Sequence, residues 1–217
     1  MLCGVRGNRE PLCPACDAHL PRLPAARCAI CALPVDGPVC GACMAHPPRY
    51  DAVTAVFVYE HPVDALIQAF KYGGNLALAT LLGDALGRTV AATATGRADL
   101  IIPMPLSARR LRERGFNQAL EIARRVGRMT GIPVAAGICR KVAETQPQAA
   151  LPWKARAQNV RGAYVCDADL QGKKVAVIDD VMTTGATLNE IAKNLRRAGA
   201  VHISGWMVAR ALRKSAI

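Results

Sequence analysis

The chain has 217 residues, 52% of them apolar, a net charge of +12 and only 4% aromatics. That length admits one ordinary domain plus a small accessory one. No uninterrupted run of 18 apolar residues occurs, and the nearest, from Leu76 to Ala94, is broken by Asp84 and Arg88, which excludes a spanning helix and membrane insertion through one. A chain this basic points to an anionic partner: nucleic acid, a phosphorylated metabolite or acidic lipid. The excess is concentrated: positions 106–162 hold 12 Lys/Arg against 3 Asp/Glu. Most of those arginines read as solvated helix faces.

The opening "MLCGVRGNRE" has no apolar core of a signal peptide. A cytoplasmic, soluble protein is expected, in a compartment that keeps thiols reduced. The nine cysteines therefore predict metal rather than disulfides. Seven fall early: Cys3, Cys13, Cys16, Cys28, Cys31, Cys40 and Cys43. Six of them form three CxxC knuckles, and two such knuckles complete a tetrahedral thiolate site for structural zinc. Cys28 and Cys31 with Cys40 and Cys43 would enclose the hairpin "LPVDGPV". Cys13 and Cys16 are then left with Cys3, one ligand short, and His19 or another group completes the site or the site is degraded. Alternatively, Cys13 and Cys16 pair with Cys28 and Cys31. So short a stretch buries little core, so metal would supply its folding energy.

The Pro-rich "AHPPRYD" predicts a boundary, giving a zinc-ribbon module at 1–48 and a second domain at 49–217. "DAVTAVFVYE" alternates as a strand. "PVDALIQAFKYGG" has helical spacing ending on a glycine pair. A second helix is expected from Leu76 to Val90. "DLIIPMP" is a short buried strand, and "SARRLRERGFNQ" a charged loop. A helix follows from about Asn117, with Gly131 beyond its end. "IPVAAGICRKV", "GAYVCD" and "KKVAVIDD" read as strands, "LNEIAKNLRRAG" as a helix, and "HISGWMVAR" as a last strand. Strands alternating with helices predict an α/β fold with a mainly parallel sheet.

Ligands bind beyond the carboxyl ends of strands in such sheets. "VAVIDDVMTTGAT" is a strand ending on Asp179 and Asp180, then a loop that opens a helix. The helix start offers N–H groups and a positive dipole end, and Thr183, Thr184 and Thr187 add hydroxyls. Gly185 and Ala186 allow close approach. This is a phosphate cradle, and not a Walker A loop, because GxxxxGK[ST] is absent. The carboxylates suit a vicinal diol beside the phosphate, with Mg2+ nearby to offset charge. A ribose with a 5′-phosphate fits both halves.

"VAVIDDVMTTGAT" resembles the signature for 5-phosphoribosyl-1-pyrophosphate in type I phosphoribosyltransferases. Together with "CALPV", "VCGAC", "ALIQAFKYGG", "IIPMPLSARRLRERGFNQAL", "RKVAETQPQAAL" and "ARAQNVRGAY", the chain resembles the ComF family, which joins zinc ribbons to such a domain. The resemblance implies that Asp179 and Asp180 bind ribose hydroxyls and that Thr183, Thr184, Gly185 and Thr187 hold the 5′-phosphate. It puts Pro103 and Met104 at the pyrophosphate, with Lys71 a further candidate there. "RRLRERGFNQ" would be a closing loop, with Arg114 and Asn117 as contacts. It implies Mg2+ with the ligand and a substitution at the anomeric carbon by a nitrogen nucleophile. It also implies a role in DNA uptake, with single-stranded DNA and a competence helicase or other uptake protein as partners. Relatives usually begin with a full CxxC whose second cysteine precedes Gly. Cys3–Gly4 looks like that second half, so its partner would fall before Met1.

Overall fold

The structure is a computed structural model that describes residues 3, 12–93, 98–143 and 159–212. Most of "RKVAETQPQAAL" and the first part of "ARAQNVRGAY" lie outside the described residues. The elements run α1 (Pro14–Ala18), α2 (Gly41–Ala45), β1 (Ala52–Val58), α3 (Val63–Gly73), α4 (Ala77–Ala91), β2 (Leu100–Pro103), α5 (Ala108–Arg114), α6 (Gln118–Thr130), β3 (Cys139–Lys141), β4 (Tyr164–Cys166), β5 (Lys174–Met182), α7 (Ala186–Arg197) and β6 (His202–Arg210).

Four strands form a parallel sheet in the order β1-β6-β5-β2. Parallel strands covered on both faces need apolar side chains in both directions, and β5 and β6 supply them. Val175, Val177, Ile203 and Met207 pack on one side with Leu188, Ile191 and Leu195 of α7. Ala176, Ile178, Trp206 and Val208 pack on the other with α3, α4 and α6. Each such Leu or Ile contributes about 1.5–3 kcal/mol by leaving water. Glycines in the left-handed conformation end α3 at Gly74 and α6 at Gly131.

Three expectations are corrected. "SARRLRERG" is a short helix rather than a loop, because the Ser107 hydroxyl caps it by accepting from Arg110 N–H and Gly115 at φ 76° ends it. Only Cys139–Lys141 of "IPVAAGICRKV" is a strand, beyond Gly137 at φ 119°. Finally, Cys139 and Cys166 are disulfide-bonded. The antiparallel register of β3 and β4, a two-stranded sheet apart from the main one, sets them opposite each other, 4.1 Å between Cα atoms.

The cysteine-rich segment lies along the β1 edge. Leu23 N–H donates to Val56 O and Val58 N–H to Pro21 O, while the Arg22 guanidinium sits over the Phe57 ring. This covers an edge that would otherwise present unpaired backbone groups. Among the described residues no helix is long and apolar enough to cross a membrane.

Asp51 ties three elements at the start of β1. Its carboxylate accepts from Arg196 Nη2 at 2.6 and 2.5 Å and from Ile203 N–H at 2.7 Å. Asp51→Ala is expected to lower the unfolding free energy by about 1–3 kcal/mol, and Asp51→Asn, which keeps an acceptor for Ile203, by about half as much. Urea unfolding checks this: equal losses in the two variants would mean that the charge on Asp51 carries the whole effect, and an undiminished Asp51→Asn that the charge contributes nothing.

Candidate ligand site and metal-binding thiols

The site forms where β5 ends. Strand alternation sends neighbouring side chains to opposite faces. Asp179 continues the row of Val175 and Val177, and Asp180 that of Ala176 and Ile178. The strand runs on to Met182, so the acidic pair lies inside its last turn of pleat rather than at its tip.

Asp180 is 4% exposed. Its Oδ1 lies 3.0 Å from Lys71 Nζ, and its Oδ2 is buried with no hydrogen-bond partner among the described residues. Lys71 arrives from the last turn of α3, whose Val63, Leu66, Ile67 and Phe70 are buried. Burial works against the Lys71 ammonium, but the Asp180 carboxylate outweighs it and holds the group charged above its usual range. Asp179, half-buried on the other face, accepts from Asp180 N–H at 2.9 Å. Burial, and then the neighbouring Asp180, push its carboxyl up to about 7, with Lys71, the Asp180 N–H and Arg114 pulling the other way. Tyr164 of β4 is also pushed up, by burial and then by Asp179, so the two-stranded sheet overhangs this face.

Arg114, at the end of α5, donates to Gln118 Oε1 at 2.8 Å and lies over the ring of Tyr72, 5.1 Å from its centroid. Tyr72 follows Lys71 and is 72% exposed. Phe70 and Phe116, with centroids 5.4 Å apart, fasten the end of α3 to the turn between α5 and α6. Arg114, Lys71 and the acidic pair thus share one neighbourhood. Pro103 ends β2, and Met104 N–H donates to Ile178 O beside them. The Asn117 side chain caps α6 by accepting from Ala119 and Leu120 N–H and donates to Met104 O at 3.0 Å. His61 and His202 lie against Asp64 and Asp51 respectively.

The loop after β5 turns at Gly185, φ 81°, where no side chain caps α7. A Cβ there would meet Met182 Cε at 2.7 Å and the Tyr50 hydroxyl at 2.9 Å. Thr184 Oγ1 accepts from Ala186 N–H at 3.1 Å, and Thr187 lies in the first turn of α7. The residue missed in the sequence is Arg210, the basic end of an apolar strand and 1% exposed. It donates to the Met182 and Thr183 carbonyls.

The thiols gather as two groups, Cys28/Cys31/Cys40/Cys43 and Cys3/Cys13/Cys16, each with its sulfurs within 4.8 Å of one another. Of the pairings left open, the structure has Cys28 and Cys31 with Cys40 and Cys43. The sulfurs are 3.6 Å apart in Cys31–Cys40 and 3.7 Å apart in Cys3–Cys13. A tetrahedral zinc with bonds of about 2.3 Å spaces its sulfurs about 3.8 Å apart, so both groups can hold zinc. Burial raises Cys28, but backbone N–H groups of Cys40, Cys31 and Ile30 outweigh it and bring the thiol down to about 7, toward the thiolate a metal needs. His19 and His61 line the cavity beside Cys3, Cys13 and Cys16. His19 Nδ1 donates to Ala15 O at 2.7 Å.

A parallel sheet between helices, with an acidic pair and a threonine-rich turn at the end of one strand, makes this an α/β chain whose candidate site lies beyond the carboxyl end of that strand. No protein-family model matches it. It is 36% identical over 169 residues to competence protein F of Haemophilus influenzae, covering 75% of this chain and 74% of that protein. It is 31% identical over 211 residues to the DNA utilization protein YhgH of Salmonella typhi, covering 94% and 86%. Competence protein ComFC of Bacillus subtilis is 25% identical over 212 residues, covering 93% and 85%. The chain belongs to the ComF family. Similar solved structures include a glutamine phosphoribosylpyrophosphate amidotransferase from B. subtilis, 24% identical with a TM-score of 0.41, covering 59% of this chain and 26% of that one. Another is an orotate phosphoribosyltransferase from Aeropyrum pernix, 17% identical with a TM-score of 0.40, covering 64% and 63%.

Two outcomes are expected. A carboxyl raised from 3.8 to about 7 contributes stability that is present below pH about 4 and lost as pH rises through about 7, up to about 4 kcal/mol in all. Asp179→Asn should remove that part of the decline, measured by urea unfolding from pH 4 to 8. An unchanged profile would mean Asp179 ionises as an ordinary carboxyl. Separately, Cys43→Ser should lower zinc content by one ion per chain and reduce thermal stability, read by atomic absorption and calorimetry.

Proposed function

We propose that the chain binds 5-phosphoribosyl-1-pyrophosphate at the end of β5 and acts in DNA uptake or nucleotide handling. The carrying observation is Asp180: a buried carboxylate with one oxygen on Lys71 and the other without a partner among the described residues. A buried acceptor left unmatched is costly, and a ribose hydroxyl is a donor of the right size. In this reading Asp179 and Asp180 accept the ribose hydroxyls. Thr183, Thr184, Gly185, Ala186 and Thr187 hold the 5′-phosphate. Lys71, Pro103, Met104 and Arg114 surround the pyrophosphate, which Mg2+ accompanies. Asn117 acts at one remove, by fixing Met104 and the start of α6.

As a phosphoribosyltransferase the protein would position and neutralise. Pyrophosphate leaves the anomeric carbon, positive charge grows there, and a nitrogen nucleophile attacks. Fixed cations near the leaving group stabilise that transition state. The names of its relatives, competence protein F and DNA utilization protein, support the cellular role. They also favour a second reading, in which the chain handles single-stranded DNA without turnover and its thiol-rich segment docks an uptake protein or helicase. The exposed Arg109 and Arg112 of α5 suit a phosphate backbone.

Calorimetry with 5-phosphoribosyl-1-pyrophosphate and Mg2+ separates these. Saturable binding is expected, weakened about 100-fold or more in the Asp179→Asn/Asp180→Asn variant, the loss of two charge-assisted hydrogen bonds. Absence of binding to the wild type would overturn the reading. Single-strand affinity that falls steeply with salt and ignores the double substitution would support the second one. Base-dependent release of pyrophosphate would mark an enzyme.

A further inference from the structure

Arg210 ends β6, the strand between β1 and β5, and it is 1% exposed. A buried guanidinium is ordinarily answered by a carboxylate. This one donates to main-chain carbonyls from three places. Its Nε donates to Cys31 O at 2.8 Å. Its Nη1 donates to Met182 O at 3.0 Å, to Thr183 O, and to Ala211 O at 2.9 Å. Cys31 belongs to the four-thiol cluster, and Met182 and Thr183 open the turn that precedes α7. One planar side chain therefore spans the metal-binding segment and the anion-binding turn.

Two further contacts run alongside. The Tyr50 hydroxyl fills the space where a Gly185 Cβ would stand, and Tyr50 packs in the same core as Cys28, Cys31, Cys43 and Met182. Arg49 N–H donates to Asn189 Oδ1 of α7 at 2.7 Å. The charge balance has the same direction. Four thiolates on a divalent ion carry a net charge of about −2, next to a guanidinium that also bonds the Cys31 side chain. Fixing the Met182 and Thr183 carbonyls also fixes the orientation of the peptide groups that follow, which are those offered to an anion.

We propose that Arg210 is a positioning residue that makes the conformation of the 182–187 turn depend on metal at Cys28, Cys31, Cys40 and Cys43. The cysteine-rich segment is then part of the anion site's support and not only an appendage for docking. The coupling stands on geometry alone; its consequence for ligand affinity rests on the function proposed above.

The test is hydrogen exchange by mass spectrometry on the full chain, comparing peptides over 182–187 with peptides over 174–178 of β5 as internal reference. Stripping zinc with a chelator should speed exchange in the turn about tenfold or more relative to the reference, and added zinc should restore it. Arg210→Lys keeps the charge but cannot span both acceptor sets. Its turn should exchange fast with zinc bound, and stripping should then add less than about twofold. Wild-type rates in Arg210→Lys, or an undiminished zinc effect in that variant, would overturn the proposal. Should Arg210→Lys fail to fold, full-length Cys43→Ser decides. Acceleration confined to the turn supports the coupling, while no acceleration, or equal acceleration in β5, defeats it. Calorimetry with 5-phosphoribosyl-1-pyrophosphate on the same samples separates the two claims. A wild type that binds none defeats the proposed function and leaves the exchange result standing.

Discussion

A carboxylate with 4% of its surface exposed has to be answered by positive charge or hydrogen-bond donors, because the interior solvates it far less well than water. Asp180 meets that requirement with Lys71, and the rest of the site follows. Lys71 can reach β5 only if α3 lies on the Ile178 face, and it does so through Ile67 and Phe70, both fully buried there. Once α3 is fixed, Tyr72 falls under the Arg114 guanidinium and Phe70 under Phe116. The arginine-rich helix α5 is thereby held at the mouth of the site. One ion pair thus sets the relation of the sheet, α3 and α5.

Strand alternation explains why the second acid behaves differently. Asp179 faces away from Lys71, toward Tyr164 and the two-stranded sheet, and its N–H donor comes from its own neighbour. Its carboxyl is raised while Asp180 is committed to a cation. Adjacent acids in sequence are therefore distinct groups in space, one already paired and one with its charge only half supported. In the proposed reading a ribose hydroxyl would meet each of them, whereas a bare phosphate would be repelled by both.

Much of this was legible locally and little of it across distance. Apolar runs bounded by charge and glycine marked β5, β6, α6 and α7, because period and caps act within a few residues. The "TTGAT" turn was legible for the same reason, whereas spacing alone left Cys28 and Cys31 free to pair with either Cys40 and Cys43 or Cys13 and Cys16, and only the fold decides. Helix α5 was hidden because "ARRLRER" has no apolar stripe; Ser107 and Gly115 were its only signals. The Cys139–Cys166 bridge depends on the register of two strands far apart in sequence, which no spacing rule provides. Arg210 was passed over because a basic residue closing a strand usually points to water. Only the fold reveals that the cysteine-rich segment closes over it.

The balance of charge has a further consequence. A net +12 attracts any polyanion, and that attraction weakens with salt and discriminates little. Discrimination has to come from groups that reject the wrong anion at short range. In the proposed reading two carboxylates beside the 182–187 turn would do this: they would weaken the site for simple phosphates and reward a ligand that brings hydroxyl donors with its phosphate. The free chain bears the cost in Asp179, whose ionisation is disfavoured until such donors arrive. Stability given up at the residues proposed to select the ligand would be recovered in the apolar rows of β5 and β6 and in the thiol cluster beside the end of the sheet.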